Sequence, residues 1–364
     1  MLIWTRETIA ATAKRPVILS LHLMNLRKYN SPPLMRRAAR RVLPLLLTAG
    51  FLYVVLRRIP YQRLLAALGE ADYVRFLAFM IPNAIIYVAW DTFAVAVAVR
   101  WFHGPVRYRD LLPVRAASYI VSVFNTNAGR GALAIFVGRL LDRPSLQIGS
   151  TVVFLVLTEY THLVAWATLG IVGFGSELTR PLLWVPPAVA GFWLLFFAYA
   201  RVGRSCESGP PAPTVAVLIR RWLTAPWRGA LLRTFRLAPA RRYVEIVLLR
   251  APMFFVSLCL YYLAAPSFGF SIPFGHLLTF LPVVFMVAAL PITVARLGTT
   301  QAAWLLLFGG FAPAERLLAF SLATALTFAL TRALIGVMLL PLAYRDLVEP
   351  LRAHEPERHA AAAT

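Results

Sequence analysis

Two arginines stand at polar, glycine-bearing breaks in otherwise apolar surroundings. Arg130 lies in Phe124-Asn-Thr-Asn-Ala-Gly-Arg-Gly-Ala132, and Arg296 in Leu290-Pro-Ile-Thr-Val-Ala-Arg-Leu-Gly-Thr-Thr-Gln301. A break flanked by Gly129 and Gly131, or followed by Gly298, presents backbone N–H groups and helix N-termini that attract anions. A guanidinium adds a planar fork suited to phosphate. Asn125, Asn127, Thr299, Thr300 and Gln301 add hydrogen-bonding side chains at the same places. This chemistry is recognition of an anionic or polar headgroup. The competing reading pairs both arginines with internal acids, chiefly Glu159 and Asp91, and gives them a packing role.

Three further groups sit inside long apolar runs. Glu159 and His162 are three residues apart in Thr158-Glu-Tyr-Thr-His162 and so share a helical face. A carboxylate beside an imidazole can relay protons, or the pair can serve as counter-ion and hydrogen-bonding group. Asp91, after Trp90, is open to the same two readings, charge balance or proton coupling. Arg250 and Arg332 read mainly as interfacial. No P-loop, Gly-x-Ser-x-Gly, His-Glu-x-x-His or cysteine cluster occurs, so the sequence calls for no catalytic residue, metal or cofactor. Cys206 and Cys259 are too few for a disulfide framework. Without an ATP site, any transport runs on a gradient or downhill.

The elements that must hold these groups follow from composition. The chain has 364 residues, is 60% hydrophobic and has a mean hydropathy of +0.70, which marks an all-α polytopic membrane protein. The net charge of +22 comes almost wholly from arginines between apolar segments, the pattern of charges that set topology. Anionic lipids rather than nucleic acid are therefore the expected partners, and a homo-oligomer is compatible with the chain.

Residues 1–41 carry nine Lys or Arg against Glu7 and form a basic N-terminal segment on the cytoplasmic side, with Met35 an alternative start. Spans are expected at 42–56, 76–99, 146–173, 182–200, 243–265 and 317–341. The loops 100–115 and 201–243 are basic and cytoplasmic, the loop 266–276 has no charged side chain and lies outside, and 342–364 forms a flexible tail, also cytoplasmic. The arms around each break, in 116–141 and 277–312, are too short to cross a bilayer, and irregular backbone at that depth must be enclosed by protein or a water-filled cavity. They read as two re-entrant hairpins of opposite sense. The integral domain 42–341 then consists of about six spans and two hairpins, with halves 42–173 and 182–341 in an inverted repeat, an architecture of many secondary transporters.

At these residues the chain resembles the lysylphosphatidylglycerol synthase transmembrane, or flippase-like, family. The likeness is carried by Asn125-Thr-Asn-Ala-Gly-Arg-Gly-Ala132 with Gly138-Arg-Leu-Leu141, by Thr151-Val-Val-Phe-Leu-Val-Leu-Thr-Glu159, and by Leu290 through Ala302. It covers roughly residues 40–345. Departures include Ala128 where the family has proline, Arg296 in place of glycine and Gln301 in place of glutamate. The resemblance implies a lipid-handling protein of the bacterial cytoplasmic membrane without the soluble aminoacyltransferase domain, acting on an anionic phospholipid or a polyprenoid-derived lipid. The leading expectation is a lipid flippase or lipid-transport protein. A lipid-carrier-dependent glycosyltransferase and a non-transporting subunit of an envelope-lipid complex are the alternatives.

Overall fold

The computed structural model describes Gly50 and residues 59–174, 182–207, 229–289 and 298–362. The expected segment 1–41, the first expected span 42–56 apart from Gly50, part of the loop 201–243, and the second break up to Leu297, Arg296 included, lie outside the described residues. Among the described residues every regular element is helical.

A short helix α1 (Tyr61–Gly69) precedes α2 (Tyr73–Phe102). Then come α3 (Tyr108–Phe124), α4 (Thr126–Leu140) and α5 (Ser145–Phe174). After α6 (Val185–Glu207) the pattern returns with a five-residue α7 (Arg233–Leu237) and α8 (Ala240–Ala264). It ends with α9 (Phe274–Ala289), α10 (Thr299–Phe308) and α11 (Ala314–Ala362). Five stretches are long and apolar enough to cross a membrane: Tyr73–Phe102, Ser145–Phe174, Leu182–Arg201, Ala240–Phe268 and Ala314–Arg345. They coincide with five of the expected spans. The protein is an α-helical membrane protein.

Two boundaries differ from expectation. Helix α3 starts at Tyr108, eight residues before the expected hairpin, so the last part of the basic loop 100–115 is helical. Helix α11 continues to Ala362 through the segment expected to be a flexible tail.

The packing partners of the two halves correspond. Helix α3 packs on α11, and α9 on α5; α4 packs on α5, and α10 on α11; α2 packs on α11, and α8 on α5. The short helices follow suit, α1 against α11 and α7 against α5, while α2 and α8 pack on each other. Exchanging α1–α5 with α7–α11 therefore maps each of these contacts onto another or onto itself. Helix α6 packs on α5, and the segment that would be its counterpart, 42–56, lies outside the described residues apart from Gly50.

Two apolar cores fill the bundle. One gathers Phe76, Met80, Tyr261, Phe268, Phe280, Trp304, Phe308 and Phe320. The other gathers Val99, Leu111, Phe154, Phe235, Tyr243 and Ile246. Edge-to-face pairs such as Phe76–Phe320 at 5.9 Å and Phe154–Tyr243 at 5.0 Å fix the rings in each. Along α2, α5 and α8 the ionisable residue falls between the segments that feed the two cores: Asp91 between Met80 and Ala94, Glu159 between Leu155 and Leu163, Arg250 between Ile246 and Phe254.

Candidate functional site: an arginine-rich layer between two cores

Asp91, 3% exposed on α2, is the hub of this layer. From α3, Arg115 donates Nε to Asp91 Oδ2 at 2.7 Å and brings Nη2 to 2.6 Å of the same oxygen. One turn further along α3, the Tyr119 hydroxyl donates to Oδ2 at 2.8 Å. From α8, Arg250 Nη2 stands 3.5 Å from Oδ1. Arg250 also faces Glu159 of α5, with Nη1 3.8 Å from Oε2, an ion-pair distance too long for a hydrogen bond.

A third guanidinium completes the layer from α11. Arg332 lies 4.4 Å from the ring of Tyr87, 5.2 Å from that of Tyr119 and 5.1 Å from that of Phe328. The Tyr119 ring thus carries Arg115 at 4.3 Å as well as Arg332. Aromatic faces stabilise these cations electrostatically without neutralising them. No carboxylate among the described residues comes within ion-pair distance of Arg332. The layer therefore sets three guanidiniums against two carboxylates, Asp91 and Glu159, and only Arg115 and Arg250 reach them, which leaves an excess of positive charge.

His162 is 2% exposed, one turn after Glu159 on α5. Its ring packs edge to face with Phe254 at 5.7 Å, and neither ring nitrogen reaches hydrogen-bond geometry with a partner. Beside the layer, α2 and α8 are tied by Ser257 donating to Asn83 Oδ1 at 2.8 Å and by the Trp90 indole donating to the Leu249 carbonyl at 2.8 Å.

The first break stands apart from the acids. Asn125 has extended backbone, φ −153° and ψ 118°, and caps α4: its Oδ1 accepts from the backbone N–H of Asn127 at 2.9 Å and of Ala128 at 3.0 Å. The chain reverses so tightly there that a side chain at Gly129 would collide with Ser122 across the turn, whereas Gly131 faces open space. Arg130 donates Nη1 to Asn127 Oδ1 at 3.4 Å, and its anticipated pairing with Glu159 or Asp91 is not formed. Those acids take Arg115 and Arg250 instead, which approach from neighbouring helices at the depth of the layer.

At the second break, Gly298 adopts φ +93°, a conformation that favours glycine. Its N–H donates to Gln301 Oε1 at 2.6 Å, closing the first turn of α10. Thr299 and Gln301 are buried there, Gln301 completely. Gly298, Thr299 and Gln301 therefore form one cluster, while Arg296 lies outside the described residues.

Sequence reasoning missed Arg115, Tyr119 and Tyr87, and underrated Arg250 and Arg332. Arg115 and Tyr119 are four residues apart, with the apolar run of α3 beginning directly after Arg115. That spacing is the signal by which they could have been found. Compared with models of known protein families and with curated proteins, the chain matches none.

Proposed function

We propose that this protein moves an anionic lipid headgroup between the leaflets of a bacterial cytoplasmic membrane. The observation that carries the reading is the arginine-rich layer between the two apolar cores. Charge at such depth is costly and is kept where a polar substrate must pass. An excess of arginine over carboxylate selects an anion, and the planar fork suits phosphate oxygens. In this reading the headgroup crosses through the layer while the hydrophobic tails stay in the bilayer.

The exchangeable packing of α1–α5 and α7–α11 supports a repeat of two halves, which we take to be inverted, with six spans, two re-entrant hairpins and both termini cytoplasmic. In such a repeat the two halves offer equivalent ways of opening on opposite sides of a fixed site. The hairpin tips, with Arg130 at one and Arg296 at the other, guide the headgroup toward that site. The resemblance of both breaks to those of the flippase-like family points the same way.

The test is a lipid-translocation assay on protein reconstituted in liposomes carrying fluorescent phosphatidylglycerol, a fluorescent neutral lipid or a labelled polyprenyl phosphate. Dithionite quenches dye that reaches the outer leaflet. The proposal expects faster loss of protected signal for an anionic lipid than for the neutral one, and loss of that advantage in Arg130→Gln with Arg296→Gln. Equal rates with protein and with empty liposomes would overturn it.

A further inference from the structure

Arg250 is among the most deeply buried charged groups of the described residues, at 2% exposure, yet it is poorly partnered. Its Nε and Nη1 make no hydrogen bond, its contact to Asp91 is a long 3.5 Å, and Glu159 stays 3.8 Å away. Arg115 shows what a saturated guanidinium in the same layer looks like, with two contacts to Asp91 under 3 Å. Arg332 repeats the unsaturated pattern: its Nε is buried without a partner, and aromatic rings surround it. The two arginines meet around one group: Arg332 lies against the ring of Tyr119, whose hydroxyl donates to Asp91, the carboxylate that Arg250 also faces. Buried polar groups normally find partners, and a charged donor left without one marks a place where a ligand completes the set.

We infer that Arg250 and Arg332 form a receptor for a phosphoryl oxyanion, and that Glu159 is the displaceable counter-ion which the anion replaces on Arg250. Asp91 remains with Arg115 and Tyr119, so the receptor empties and fills without dismantling the hub. Glu159 is suited to leaving, because its side chain is 26% exposed and its contact to Arg250 is already longer than a hydrogen bond. The ligand class is a phosphate-bearing anion, as in a phospholipid headgroup or free phosphate. The inference rests on the transport reading for its biological role, but binding can be measured without transport.

The experiment is calorimetric titration of the purified full-length protein in neutral detergent with a short-chain phosphatidic acid, and separately with inorganic phosphate. Short-chain diacylglycerol is the control. Wild type binds the phosphatidic acid and not the diacylglycerol. Arg332→Gln and Arg250→Lys, the latter keeping the charge but losing the fork, each weaken binding about tenfold or more. Glu159→Gln tightens it, a result that no purely structural role for Glu159 yields. Binding of inorganic phosphate with comparable affinity would assign the receptor to free phosphate; binding of the lipid alone would assign it to a headgroup. Absence of binding to both anions, or affinities unchanged in Arg332→Gln and Glu159→Gln, would overturn the inference. Binding without translocation in liposomes sinks the transport reading and leaves the receptor standing. Translocation unaffected by Arg250→Lys and Arg332→Gln sinks the receptor alone.

Discussion

Gly170 of α5 lies so close to Thr279 of α9 that a methyl group added to it would fall 2.6 Å from the Thr279 Cα. The corresponding pair in the other half is as tight, since a methyl at Gly336 of α11 would fall 2.7 Å from the Ala116 carbonyl oxygen of α3. Small residues at such crossings let helix backbones approach in a bilayer, where dispersion and weak polar contacts replace the hydrophobic effect as the force between helices. Gly170→Ala and Gly336→Ala are each expected to destabilise the protein by about 1–3 kcal/mol, because backbone rather than a flexible side chain must yield. Gly173→Ala, which meets open space, is the control and should be neutral or slightly stabilising. Thermal unfolding in detergent, followed by tryptophan fluorescence, measures all three.

Removing the hub of the arginine layer should cost more than removing its periphery. Asp91→Ala leaves Arg115 without its partner and Arg250 with only the distant Glu159, and is expected to cost about 3–5 kcal/mol. Glu159→Ala removes a half-solvated carboxylate at a longer distance and should cost about 1 kcal/mol or less. The difference between the two in chemical unfolding in detergent is the measurement. Equal losses would mean that Asp91 is not the hub.

His103, just past the end of α2, gives the protein an acid sensitivity of known sign. Its Nε2 lies 2.6 Å from Thr151 Oγ1, which in turn lies 2.8 Å from Thr234 Oγ1, joining α2, α5 and α7. Burial, helped by Arg233 and Arg143, holds His103 down to about 4 from its ordinary 6.5. Between these values the unfolded chain takes up a proton that the folded one refuses, so stability is full above about 6.5 and falls as pH drops toward 4. In His103→Gln this part of the pH dependence should disappear, which unfolding midpoints collected across that window will read directly.

The reversal at Asn125 makes a prediction about sidedness. With the native cysteines replaced, Arg107→Cys and Arg143→Cys should react with an impermeant maleimide from the same membrane face, and Ser271→Cys from the opposite one. Ala128→Cys, at the exposed tip, should react only from the face that labels Arg107→Cys. Reaction from the other face would make α3 and α4 two full crossings in place of a re-entrant pair.

The long spans were legible in the sequence because bilayer thickness sets a length that apolar runs such as 146–173 and 243–265 must reach. The acids of the layer were legible for a related reason: a carboxylate within such a run, as at Asp91 or Glu159, has no ordinary place. Arg115 was obscured because it stands at the end of a basic loop, where counting charges assigns it to water, while α3 in fact begins two turns earlier. Which arginine meets which acid was beyond a linear reading, since the partners of Asp91 come from positions 115 and 250 on two other helices. Arg250 itself, read as interfacial, is instead enclosed where α8 crosses α2 and α5.

The cross-bracing of the halves also dictates a timetable of synthesis. Helix α3 rests on α11 and α9 on α5, so the first helix of each broken pair is held by the last helix of the opposite half. When α3 leaves the ribosome its support has not been made, and about two hundred residues must follow before α11 arrives. Asp91 of α2 is already there for Arg115 and Tyr119, Glu159 and then Arg250 follow as α5 and α8 emerge, and Arg332 comes last, with α11. The brace on α3 is therefore added after all the other described helices, and the two halves hold each other only once α11 has met α3.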